Sequence, residues 1–304
     1  MTHRRSHLVA FSKATFAVIV WGASFIATKI ALREVTPVTV IWLRFGIGIL
    51  VLGIITLTRE KLSLPTRRDL AYFSFLGFLG ITFHQWLQVT GLITSQATTT
   101  AWIITTIPIF IALLGWLILG ETLRWGAAGG IALAGVGVMI IVTHGDFGKL
   151  FQGRFGAPGD LLILLSAPNW AIFSVLSRRG LLNQSASGMM FFVMGFGWIF
   201  TSLWLVSAGR LHDFAQLSAG GWTAVLFLGI FCSGLAYIFW YDALKAIPAS
   251  QVGSLLYIEP IVAMGVAAVL LQEALLLMEL FGGGLILLGV WLVNRHRAVE
   301  GPPD

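Results

Sequence analysis

The chain has 304 residues, of which 57% are hydrophobic and 11% charged, less than half the charged share of a soluble domain. A mean hydropathy of +0.90 over 33.0 kDa excludes a soluble globular enzyme, because the surface of such a fold needs far more charge than this chain supplies. The formal net charge of +6 does not mark a nucleic-acid binder, since the lysines and arginines sit at the ends of apolar segments and form no single stripe.

In chain order the apolar segments fall at about 14–33, 37–58, 70–92, 97–119, 124–143, 159–178, 188–208, 221–245, 249–271 and 277–294. A bilayer helix takes about 20 apolar residues, and helices are the open-chain way to satisfy backbone groups in hydrocarbon. The expected fold is therefore an all-α integral membrane protein with ten transmembrane helices and no separate soluble domain. Arg4, Arg5 and Lys13 ahead of the first segment resemble a signal-peptide n-region, but the apolar run continues to Leu32 and nine more follow, so the segment is read as retained. Turn residues mark junctions at Thr36-Pro37, Ala157-Pro158-Gly159 and Ile247-Pro248. The longest junction, 144–158, divides the chain into halves of 14–143 and 159–294. Cys232 is the one cysteine, so no intramolecular disulfide forms and its place in an apolar run suggests packing.

Orientation follows from the basic residues. With the N-terminus inside, the inner face collects 13 lysines and arginines, among them Arg4, Arg5, Arg67, Arg68, Arg124, Arg178 and Arg295, whereas the outer face collects Arg33, Lys149, Arg154 and Arg210. Both termini are expected in the cytoplasm.

The chain also repeats itself. Pro108 is followed after twelve residues by Glu121-Thr122-Leu123, and Pro260 after the same twelve by Glu273-Ala274-Leu275, an offset of 152. That offset carries Gly130 onto Gly282, Gly137 onto Gly289 and Ala97 onto Ala249, while an offset of 149 carries Trp21 onto Trp170 and Lys29 onto Arg178. Halves of five helices, an odd number, must cross the membrane in opposite directions. The expectation is two inverted five-helix repeats, the architecture of many secondary transporters, with a solute site near the midplane.

These same residues, with Pro37 and Arg44-Phe45 on helix 2, resemble the EamA family of the drug/metabolite transporter superfamily, and within it the YddG-type bacterial amino-acid exporters. The resemblance spans 14–143 and 159–294. It implies an exporter of amino acids, aromatic and other neutral ones, or of related small metabolites, in the bacterial inner membrane. It also implies a central cavity lined by helices 1, 3, 4, 6, 8 and 9. The second half departs from the pattern, because no arginine matches Arg44 on helix 7.

Polar groups at membrane depth are the candidates for solute contact, since each ionisable one costs a few kcal/mol at a helix centre. Glu259, about ten residues into helix 9, could bind an ammonium group or a coupling proton, or could tie helix 9 to a neighbour beside Pro260. On helix 3, His84 and Gln88 share a face at i and i+4, with Gln85 and Trp86 beside them. They could form a cavity wall that donates to a carboxylate, or interhelical polar contacts. Trp21, Trp102, Trp170, Tyr237, Tyr241 and Tyr257 could hold an apolar side chain or face a cation, with Asn169 and Ser174 supplying hydrogen bonds. Trp125, Trp222 and Trp291 read as interfacial belt residues.

Lys29 near a helix end reads as a snorkelling residue or a functional one, and Arg44 as a structural contact or a guide for anions. Glu121 and Glu273 at helix boundaries read as capping or gating elements, and Pro108 and Pro260 as kinks. Glycines of helices 5 and 10 suggest close helix packing or a dimer face. No metal-ligand pair, nucleotide loop or nucleophile elbow is present in the sequence, so no cofactor or metal is expected. The expected partners are a small solute and the lipid bilayer, with proton coupling and oligomeric state open. A membrane-embedded enzyme using His84, a multidrug exporter of the same fold and a channel are the alternatives.

Overall fold

The computed structural model describes residues 2–59, 64–119, 125–148, 156–180, 185–247, 252, 255–274 and 276–295. The described residues fold as helices without strands. In chain order these are α1 (Thr2–Leu32), α2 (Pro37–Arg59), α3 (67–91), α4 (97–119), α5 (Trp125–Thr143), α6 (Pro158–Gly180), α7 (Ala186–Ser207), α8 (219–246), α9 (255–270) and α10 (Leu277–Arg295). A short 3-10 helix, Arg210–Gln216, lies between α7 and α8. Among the described residues seven helices are long and apolar enough to cross a membrane, and 255–270 and 277–293 are shorter apolar helices. Helix α3 falls outside both groups. Arg67-Arg68-Asp69 at one end and His84, Gln85 and Gln88 near the other interrupt its apolar run.

The first helix starts at Thr2, not near residue 14 as the hydropathy suggests. Residues 2–13 hold no proline or glycine to stop it, and a polar first turn leaves its unpaired N–H groups to water.

Four helices depart from regular α-helix. Helix α3 widens to a π-helix at Phe78–Phe83 and α8 does so at Phe227–Leu235. The two π-helices start 149 residues apart, on Phe78-Leu79-Gly80-Ile81 and Phe227-Leu228-Gly229-Ile230. This is the offset that relates Trp21 to Trp170. Helix α4 breaks between Ala97–Ile104 and Ile107–Leu119, just ahead of Pro108. Helix α9 opens with a 3-10 turn, Leu255–Ile258, and becomes α-helical at Glu259 with Pro260 in its first turn. A proline there lacks the N–H that would otherwise go unpaired.

Packing follows a scheme in which the main crossings have counterparts in the other half. Helix α1 packs on α8 and α9, and α6 on α3 and α4; α2 packs on α8, and α7 on α3; α5 lies against α10. In that last crossing a Cβ on Gly130 would stand 2.5 Å from the Gly289 carbonyl oxygen, and one on Gly137 2.5 Å from that of Gly282. The two backbones are in contact, as small residues permit in lipid.

At the end of the molecule where α1 stops, carboxylates from one half cap helices of the other. Asp213 Oδ2 accepts from Thr36 N (3.2 Å), Thr36 Oγ1 (2.7 Å) and Thr39 Oγ1 (2.8 Å) at the start of α2. Glu34 returns the bond to α8, accepting from Ser218 N (2.7 Å) and Ser218 Oγ (2.6 Å). Burial pushes the Asp213 carboxyl up, but the threonine donors outweigh it and hold the group below its ordinary value. The Ser218 bonds lower Glu34 in the same way.

Two outcomes are expected. Gly137→Leu should destabilise the purified protein by about 1–3 kcal/mol through overpacking, read as a lower unfolding midpoint in detergent, whereas Gly129→Ala, with nothing within 4 Å, should leave the midpoint unchanged or raise it. Asp213→Ala should cost about 1 kcal/mol at neutral pH. A depressed carboxyl stabilises above its unfolded-state pKa and loses that contribution as pH falls through the folded-state value, so the gap between mutant and parent should close in acid.

Candidate functional site

The π-helical turns create the centre of the molecule. A wide turn breaks the regular ladder and leaves carbonyl oxygens to be satisfied from elsewhere. Asn169 Nδ2 on α6 donates to Leu79 O in the π-helix of α3 (3.0 Å), and Trp21 Nε1 on α1 donates to Cys232 O in that of α8 (3.0 Å). In each case the donor comes from the first helix of the opposite half. Cys232 Sγ closes a second link by donating to Val20 O (3.3 Å).

Arg44 lies between the two broken helices. It is 5% exposed; its Nε donates to Ser233 Oγ on α8 (2.9 Å) and its Nη1 to Gln85 Oε1 on α3 (3.3 Å). Ser233 is the 149-residue counterpart of His84, one position from Gln85, so the guanidinium joins equivalent turns of the two halves.

Around this point stand two aromatic groups. Trp170 lies 4.7 Å from the His84 ring and 4.9 Å from Phe173 by ring centroids. Trp21 meets Tyr237 edge-on at 5.6 Å and Trp240 at 5.2 Å. His84, Gln85, Gln88 and Asn169 are buried, and Trp21, Trp170, Tyr241 and Glu259 are half-buried. The Nδ1 of His84 has no hydrogen-bond partner among the described residues. Glu259 has no hydrogen-bond or ion-pair partner among the described residues; its own carbonyl lies against Gly22 of α1, 2.7 Å from where a Cβ would stand.

Other residues singled out from the sequence lie elsewhere. Trp86 stacks on Phe83 at 5.8 Å, and Phe83 belongs to the exposed side of α3 with Phe78. Trp102 is buried in a second apolar core, its ring against Gly283 of α10 and its indole N–H unpaired. The Ser174 hydroxyl donates back to Trp170 O (2.7 Å) within its own helix. Tyr257 belongs to the 3-10 turn of α9 and packs on the second core. Glu121 lies outside the described residues, as do the side chain of Arg178 and the 149–155 part of the expected linker.

A second polar group closes the end where α1 stops. Glu273 caps α4, accepting from Ala97 N (2.9 Å), Thr98 N (3.2 Å) and Thr98 Oγ1 (3.0 Å). Lys29 Nζ donates to Ser95 O (2.5 Å), and Ser95 Oγ donates to Asp160 Oδ1 (2.6 Å) at the start of α6. Glu279 on α10 is fully buried and accepts from Thr99 Oγ1 (3.2 Å).

Comparison with known proteins gives these features a family. The model of the EamA-like transporter family matches residues 10–143 and 157–295. The chain belongs to the EamA-like transporter family. It is a multi-pass membrane protein of a transporter family, with a small-molecule solute and a lipid bilayer as its surroundings. A transporter of unassigned substrate from Archaeoglobus fulgidus is 28% identical, over 92% of this chain and 95% of its own. The Bacillus subtilis transporter YvbV is 29% identical over 94% and 91%. A Streptantibioticus cattleyicolor protein named a probable terminal-alkyne amino-acid exporter is 25% identical over 94% of both chains. One solved crystal structure has the same fold, with a TM-score of 0.62 at 23% identity, covering 98% of this chain and 99% of that one.

Within this EamA-like chain, sequence reasoning missed Ser233, Asp160, Asp213, Glu279 and the two π-helical turns. The recurrence of Phe-Leu-Gly-Ile at the 149-residue offset was the available signal for the turns. If the Asn169 amide supports the α3 turn, Asn169→Leu should leave the Leu79 carbonyl unpaired at a cost of about 1–3 kcal/mol. Faster hydrogen exchange confined to residues 78–84 would show it, and unchanged exchange there would refute it.

Proposed function

We propose that this protein is a secondary transporter that moves amino acids, aromatic and other neutral ones, or related small metabolites across the bacterial inner membrane, in the direction of export. The helices α1 to α10 make ten crossings with both termini in the cytoplasm. The halves 14–143 and 159–294 act as inverted repeats that rock about a midplane site by alternating access.

The observation that carries this reading is the meeting of equivalent turns of α3 and α8 at Arg44, inside a packing scheme whose main crossings recur when the halves are exchanged. An inverted pair needs such a centre, because the only place equally related to both halves is their shared axis. Family membership and the exporter relative support the solute class. Walls at the centre combine aromatic faces, Trp21 and Trp170, with the polar ends of His84, Gln85 and Gln88. Such a lining suits an amphipathic organic solute better than an inorganic ion.

A multidrug exporter of the same fold is the second reading, favoured by Glu259, an acidic group at membrane depth with no hydrogen-bond or ion-pair partner among the described residues, which also suits an organic cation. The deciding test is counterflow of radiolabelled amino acids into liposomes carrying the purified protein, with and without an imposed proton gradient. Saturable uptake is expected, and its response to the gradient assigns or removes proton coupling. His84→Ala and Trp170→Ala should each reduce transport about tenfold, equivalent to about 1.4 kcal/mol, with membrane insertion intact. Normal rates in both variants would place the solute elsewhere.

A further inference from the structure

The start of α4 is held by charged side chains of α1, α6, α10 and the α9–α10 connection, all gathered on the stretch from Ser95 to Thr100. Lys29 Nζ of α1 donates to Ser95 O (2.5 Å), and Ser95 Oγ donates to Asp160 Oδ1 of α6 (2.6 Å). Glu273, between α9 and α10, accepts from Ala97 N, Thr98 N and Thr98 Oγ1, and Glu279 of α10 accepts from Thr99 Oγ1. Asp160, Glu273 and Glu279 all belong to the second half of the chain, whereas α4 belongs to the first. Among the described residues none of these carboxylates forms an ion pair. Their donors are neutral amides and hydroxyls, which water can replace bond for bond.

The far end of the same segment is built to bend. Helix α4 runs from Ala97 to Ile104 and resumes at Ile107. Thr105 Oγ1 donates back to Ala101 O (2.8 Å) and Thr106 Oγ1 to Ile103 O (2.6 Å), bonds of a kind that bends helices. Pro108 has no N–H to return to Ile104 O. Between the clamp and the break lies Trp102, whose indole N–H has no partner among the described residues, and in the clamp Glu279 Oε2 has none either. Both atoms are buried, so the closed arrangement keeps a donor and an acceptor unpaired that water would satisfy if the segment moved out.

We infer that residues 97–104 form a gate at the end of the molecule where α1 stops, latched by Asp160, Glu273 and Glu279 of the other half and hinged at Thr105 and Thr106. This rests on the transporter reading above: if the halves rock, bonds that run from one half to a helix of the other have to part. Asp213 also joins the halves at this end, but it caps α2, which runs unbroken from Pro37 to Arg59. The start of α4 has both parts of a gate, a latch made across the halves and a hinge one segment away. Release is collective, because the carboxylates bind neighbouring residues of one short helix and water that reaches one bond reaches the next.

The test reads hydrogen exchange of the full-length protein in lipid nanodiscs and counterflow in liposomes, using the fastest-carried member of a panel of radiolabelled amino acids. Glu273→Ala should speed exchange at 97–104 about tenfold and leave 107–119 unchanged, while Asp213→Ala, which removes a cap at the same end, should leave both segments unchanged. Thr98→Cys combined with Glu273→Cys, bridged by a short reducible bifunctional thiol reagent, should stop counterflow, and reductant should restore it, which a merely structural contact would not do. Should Glu273→Ala fail to fold, Lys29→Met loosens the same clamp, and in the parent 97–104 should already exchange faster than 107–119. Exchange that rises equally over 97–104 and 107–119, or counterflow that continues in the bridged protein, would overturn the gate and leave the transporter reading in place. A folded protein that carries none of the amino acids would overturn the amino-acid reading, and the exchange pattern then decides the gate by itself.

Discussion

Everything at the centre of this protein depends on satisfying the backbone carbonyls of two broken helices in a place without water. In hydrocarbon an unpaired peptide group costs several kcal/mol, so a wide helical turn persists only where a neighbour supplies the missing donor. Asn169 supplies one for α3 and Trp21 one for α8. Because each donor belongs to the other half, the two halves interlock where they are individually weakest. The same turns carry His84 and Gln85 on α3 and Ser233 on α8, so the break in the helix and the chemistry of the site share a cause.

The polar contacts and the glycine contacts differ in what they can do. Interhelical hydrogen bonds in membranes average about 0.6 kcal/mol, little enough to be exchanged during a conformational cycle. The α5–α10 crossing, in which Gly130, Gly137, Gly282 and Gly289 bring backbones together, loses its packing if the helices separate at all. Carboxylate caps at the end where α1 stops are intermediate: Glu273, Asp213 and Glu34 each satisfy several orphan N–H or hydroxyl donors at once, so the bonds of each cap stand or fall together.

Much of the fold is legible in the sequence because lipid imposes a simple rule. Segment positions follow from hydropathy, and the repeat follows from spacing. The offset of 152 that pairs Gly130 with Gly282 and Gly137 with Gly289 selects the four residues that meet across one crossing. Hydropathy falls short at α1, where the helix runs on through a polar stretch that nothing stops, whereas the segment read at 70–92 lies close to α3 at 67–91. For the candidate site, depth alone marks His84, Arg44, Asn169 and Glu259. Depth does not say what each one touches: Trp102 and Tyr257 go to a second core, Trp86 to the exposed side of its helix, and Ser174 back onto its own backbone.

By itself the sequence determined that the chain lives in lipid, that it is helical, that it contains two related halves and that a few polar groups must be kept from the acyl chains. These are consequences of composition and periodicity, which act locally along the chain. Only the tertiary structure decided that Arg44 joins α3 to α8, that Glu259 meets no partner among the described residues, and that Trp21 and Asn169 serve carbonyls 211 and 90 residues away. Such pairings depend on where a helix widens and which neighbour then fits, and neither is set by any one segment's own residues.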